Sequence, residues 1–153
     1  MKKRTFARSL AALLIVTLFI SFSVSAASAE TMQPYASRYL DSYNSYVYPA
    51  GGGKIQVYFS VTGTDYMDEL GVLTIQIYEC TTNSSYQNDW TWKATYKHNT
   101  TSGMLSYNDF YHSGHVDYQG VAGRYYKAYV CVWGGSDGTG DTRYFWTSAK
   151  QAT

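Results

Sequence analysis

Apolar residues recur at every second position through most of this chain. A period of two is satisfied by an extended strand with one buried face, and not by a helix. Ile55, Val57, Phe59 and Val61 alternate with Lys54, Gln56, Tyr58, Ser60 and Thr62. Leu73, Ile75 and Ile77 alternate with Val72, Thr74, Gln76 and Tyr78. Trp90, Trp92, Ala94 and Tyr96 oppose Thr91, Lys93, Thr95 and Lys97. Tyr126, Ala128, Val130 and Val132 oppose Tyr125, Lys127, Tyr129, Cys131 and Trp133. A last strand is predicted over Thr142–Ser148, with weaker ones near Arg38–Tyr48 and Leu105–Tyr118. Asp65–Gly71 is predicted as one helical turn, and no segment sustains a 3.6 period.

Turn residues separate these runs at Pro49–Gly53, Thr81–Asp89, Gly120–Gly123 and Gly134–Asp141, the last predicting a glycine-rich hairpin loop. About seven short antiparallel strands with regular turns predict an all-β domain. The expected architecture is a single immunoglobulin- or fibronectin-III-like antiparallel sandwich, with a small β-barrel as the alternative.

The chain before Glu30 has a different character. Lys2, Lys3, Arg4 and Arg8 precede an apolar stretch from Leu10 to Phe22, and Ala27-Ser28-Ala29 closes the segment. A positive start, an apolar middle and an A-x-A site define a secretory signal peptide. The apolar stretch is short of the roughly 20 residues that span a bilayer. We therefore expect a bacterial signal peptide over residues 1–29, cleaved after Ala29, and a secreted β-sandwich domain over residues 30–153. No membrane insertion is expected after cleavage.

Four of the 12 Lys and Arg lie before Glu30, leaving 8 against 11 Asp and Glu and a mature net charge of −3. With no basic run left, capture of nucleic acid or anionic lipid is not expected. All 17 Tyr and all 4 Trp follow Glu30. The mature chain is thus rich in aromatics that pack on one side and hydrogen-bond on the other.

Two cysteines in an exported protein invite a Cys80–Cys131 disulfide. Trp92 after Cys80 and Tyr129 two residues before Cys131 mimic an immunoglobulin domain. The alternation opposes that match, because both cysteines fall on the outward faces or near strand ends. On antiparallel neighbouring strands they would also lie far apart. The pairing stays open at this level.

Several segments together resemble a known group of proteins. They are Gly52-Gly53-Lys54-Ile55-Gln56-Val57, Met67-Asp68-Glu69-Leu70-Gly71 with Ile75-Gln76-Ile77-Tyr78-Glu79, Tyr118-Gln119-Gly120-Val121-Ala122-Gly123 with Tyr126-Lys127-Ala128-Tyr129-Val130, and Gly140-Asp141-Thr142-Arg143-Tyr144. They resemble small secreted β-sandwich proteins of Gram-positive, largely gut-dwelling bacteria, over most of Lys54–Thr147. That family has no assigned function, so the resemblance implies a fold and no catalytic residues. The two cysteines are not part of its pattern.

Candidate chemistry is sparse. His112 and His115, with Asp109 and Asp117 nearby, offer metal ligands or acid–base groups, but positions 112 and 115 of a strand point to opposite faces. Asp137 and Asp141 could offer oxygens to calcium, without the spacing of a dedicated loop. Gly51-Gly52-Gly53-Lys54 leads into a strand and is a turn, not a phosphate loop. No G-x-S-x-G elbow is present.

The aromatics remain. Tyr58, Tyr78, Tyr125, Tyr129 and Trp133 lie opposite the apolar rows, where rings can stack on sugars or meet a protein partner. Cross-strand pairing alone would also explain them. The sequence is read as a secreted, non-catalytic module without cofactor, binding a cell-surface or environmental glycan or an extracellular protein. The alternatives are a small hydrolase built on His112, His115 and Asp117, or a secreted toxin or antimicrobial factor.

Overall fold

The structure, a computed structural model, describes residues 37–153, so the expected signal peptide and its cleavage site lie outside the described residues. Seven antiparallel strands join in one sheet. They are β1 (Leu40–Gly51), β2 (Lys54–Cys80), β3 (Thr91–Lys97), β4 (Leu105–Gln119), β5 (Tyr125–Ser136), β6 (Thr139–Trp146) and β7 (Lys150–Gln151). A single 3₁₀ turn covers Gln87–Asp89. The domain is all-β, as the alternation requires.

The organiser is β2, at 27 residues far longer than the others. Its first half pairs with β1 on one edge and β4 on the other. Its second half pairs with β5 on the β1 edge and with β3 on the β4 edge. β6 extends the sheet beyond β5. All seven strands join one sheet because β2 serves both halves.

The sheet is strongly curled, a half-barrel. Pairing of β2 with β4 lapses between Thr62 and Met67. Inner-face contacts then join opposite ends of β2. Tyr96 Oη, on a strand paired near Ile75, donates to Asp117 O, on a strand paired near Gln56, over 2.5 Å. The Tyr43 and Phe145 rings meet at 5.1 Å between centroids.

The inner face holds the core. Ile55, Val57, Val61, Ile75, Ile77, Tyr126, Ala128, Val130 and Val132 have no solvent exposure. Burying each large aliphatic side chain contributes about 1.5–3 kcal/mol. Met104, also buried, fills the gap where β3 and β4 meet end to end, and its carbonyl accepts from Val72 N at 2.8 Å.

Four local expectations are corrected, in most cases at backbone irregularities. Asp65–Gly71 is strand within β2, not a helical turn. Buried Met67 and Leu70 are three residues apart, and Asn108 on the partner strand between their partners has φ 52°. A register shift between Val72 and Thr74 puts Val72 in the core in place of Leu73, which is half-buried. A second shift, between Ile77 and Tyr78, turns Trp92 outward. The predicted loop Gly134–Asp141 is mostly strand, with Asp137 (φ 53°) and Gly138 (φ 72°) alone forming the turn. Two successive positive φ values match the twist of the flanking strands.

Both cysteines are free and buried. Thr74 faces Cys131 and Cys80 faces Tyr125, so the thiols sit six positions apart along paired strands. A disulfide tolerates a Cα separation of about 7 Å at most, against ~3.4 Å per residue of strand. The two thiols, whose pairing the sequence leaves open, are therefore too far apart to bond. Neither thiol is outward-facing in the sense of being exposed, since neighbouring side chains cover both.

Candidate functional site

The outer surface of each half of the sheet carries a row of aromatic rings. On the half formed by β3, β2, β5 and β6, register places Trp92 beside Tyr78, Tyr78 beside Lys127, and Tyr129 beside Trp146. The Trp146 ring lies 4.7 Å from Tyr129 and 5.0 Å from Tyr78, and Tyr129 stacks on Tyr144 at 5.8 Å and 22°. Trp92 and Tyr144, at opposite margins, are 56% and 60% exposed, and Trp146 is 39% exposed.

Lys127 braces this platform. Its Nζ lies 4.3 Å from the Trp90 ring centroid and 4.6 Å from that of Trp146, and it donates to Gln87 Oε1 at 2.8 Å. Burial under the rings lowers its pKa from the usual lysine range. An ammonium over an indole face is held by about 0.5–2 kcal/mol. Beside it, Tyr144 faces Cys131 across the β5–β6 pair, and burial raises the pKa of that thiol.

On the half formed by β1, β2 and β4, Tyr46 stacks on Tyr58 at 5.2 Å and 11°, and Tyr58 packs on His115 at 5.0 Å. One row further along the strands, Ser60 pairs with Asn44 and Ser113. Ser60 and Ser113 floor a trough of about 420 Å³ between the Tyr46–Tyr58–His115 row and Tyr111. The far side of the ring row is a neutralised polar strip. Lys54 Nζ lies 3.0 Å from Asp117 Oδ2, Gln56 donates to Asp117 Oδ1 at 2.8 Å, and Tyr58 Oη donates to Gln56 Oε1 at 2.9 Å. The Gln56 and Lys54 hydrogen bonds lower the Asp117 pKa below the usual carboxylate range.

The five aromatics singled out from sequence are therefore divided. Tyr78 and Tyr129 share the platform, and Tyr58 belongs to the trough. Tyr125 stands apart, paired with Cys80 and Gln151. Trp133 covers Gly135 and Gly140, where an added Cβ would come within 2.6 and 2.5 Å of its ring. It borders a separate cleft of about 260 Å³ with Asp68 and Glu69. Alternation of Tyr144, Phe145 and Trp146, and of Tyr46, Val47 and Tyr48, signals the added rings, whereas the bulge at Ile77 hid Trp92.

The histidines do not converge. His112 faces inward, 5.6 Å from the Phe59 ring, with Nε2 2.9 Å from Gly103 O. His115 faces outward, 3.9 Å from Asp117. Asp141 accepts from Ser37 Oγ and Arg38 N, and Asp137 N donates to Asp68. Among the described residues no cluster of three His, Cys, Asp or Glu is placed to hold a metal ion. No described helix is long and apolar enough to cross a membrane.

No family model, curated protein or solved structure matches this chain.

Proposed function

We propose that this is a secreted, non-catalytic module that binds a polysaccharide on the outer face of β3, β2, β5 and β6. The observation that carries the reading is the row of partly exposed rings from Trp92 through Tyr78, Trp146 and Tyr129 to Tyr144. Adjacent strands repeat every ~4.8 Å, close to the length of one pyranose unit. A sugar chain lying across the strands thus meets one side chain per residue. Ring faces accept its C–H surfaces, and Gln76 and the tyrosine hydroxyls offer hydrogen bonds to its hydroxyls. Export is read from residues 1–29. The histidines on opposite faces weigh against the hydrolase alternative.

Retention of the protein on insoluble cellulose, mannan, chitin and bacterial cell walls tests this. Retention should fall about tenfold or more in Trp92→Ala/Trp146→Ala, with the far-ultraviolet spectrum unchanged. Equal retention of that variant, or none by the wild type, removes the reading.

A further inference from the structure

The trough on β1, β2 and β4 has a chemistry of its own. Its floor is uncharged, made by Ser60 and Ser113 beside Asn44, and its walls are the ring row and Tyr111. Beyond the ring row, Lys54 and Asp117 neutralise each other. Hydroxyl donors and acceptors between aromatic walls suit a neutral hydroxylated ligand. The trough draws on three strands, with Tyr46 on β1, Tyr58 and Ser60 on β2, and Tyr111, Ser113 and His115 on β4. Three strands span about 10 Å at the usual strand spacing, enough for two or three sugar units.

Orientation adds the second element. Inner-face contacts such as Tyr96 to Asp117 and Tyr43 to Phe145 bring the two halves together core to core. The trough and the platform therefore look away from each other, and one ligand segment cannot cover both.

We infer that the trough is a second site for neutral saccharide, and that each molecule bridges two polysaccharide chains. This inference rests on the polysaccharide reading of the platform. Two sites on one rigid body join two chains without any new contact, and on one crowded surface they raise avidity.

The test uses the protein made from the full chain, with cellohexaose, mannohexaose and maltohexaose, and with hydroxyethylcellulose, galactomannan and soluble starch. Titration of the oligosaccharide that binds should give two sites per molecule, and light scattering should show clustering of the matching polymer. Ser60→Val/Ser113→Val removes the floor hydroxyls while favouring strand. It should leave one site and abolish clustering, and Trp92→Ala/Trp146→Ala should do the same through the other face. One site in the wild type, unaffected by the serine changes, overturns the inference and leaves the platform reading standing. Binding of no oligosaccharide or polymer overturns both.

Discussion

The hydroxyl of Tyr126 donates to Glu79 Oε2 over 2.5 Å and accepts from Val121 N at 2.8 Å. It thereby ties the end of β2 to the loop after β4, across the mouth of the curled sheet. Glu79 is also 3.0 Å from Lys93 Nζ. The ring is wholly buried, so this hydroxyl has no solvent to replace what it would lose.

Tyr126→Phe keeps the ring and deletes these bonds, leaving the Val121 amide without its partner. The expected loss is about 1–3 kcal/mol, read as a lower urea midpoint. Polysaccharide retention, measured on the opposite face, should not change.

The same pair sets the pH limits of stability. For Glu79, burial opposes the charged form, but hydrogen bonds from Tyr126 and Lys93 outweigh it and hold the pKa below 4.5. Its contribution is present above 4.5 and is lost as pH falls through the lowered value. For Tyr126, burial and then Glu79 raise the hydroxyl from 10 to about 12. That contribution is complete below 10 and disappears as pH rises towards 12. Thermal midpoints against pH should fall at both ends, and Tyr126→Phe should flatten the alkaline fall.

Gly71→Ala should be severely destabilising. Gly71 has φ +147°, and a Cβ there would lie 2.3 Å from Met104 O. The backbone conformation alone costs about 1–3 kcal/mol, and a carbonyl that already accepts from Val72 cannot move aside freely. Soluble yield and melting temperature measure the effect.

Alkylation followed by mass spectrometry should find two free thiols, with no change on reduction. In the native protein Cys80 should react before Cys131, because hydrogen bonding by Thr82 lowers its pKa whereas burial raises that of Cys131. A mass lower by two hydrogens before reduction would contradict the register.

Trp133→Ala should cost about 2 kcal/mol by uncovering Gly135 and Gly140, while binding persists. Chemical denaturation and the retention assay separate the two effects.

Most of the core was legible because burial on one face leaves a period of two in the sequence. Ile55 to Val61 and Tyr126 to Val132 keep that phase along their whole length. Val72 and Trp92 were misread because a bulge shifts the phase without leaving a compositional mark. The continuity of β2 was hidden because Asp65–Gly71 reads as a helical turn between two strands. Of the candidate site, Tyr58, Tyr78 and Tyr129 were visible as outward aromatics. Which rings meet depends on strand order, and no single-strand pattern carries that information.

The sharing of β2 has a consequence for how this molecule comes into being. A chain delivered from its N-terminus can form the β1–β2 hairpin early, because only Gly52 and Gly53 separate the paired ends. The second half of β2 must wait for β3, β4 and then β5, whose first residue lies 45 positions beyond Cys80. Such distant pairings are slow to close. Until Tyr125 and its successors arrive, the strand that will form the centre of the platform has an unpaired edge. A domain built this way acquires its surface last.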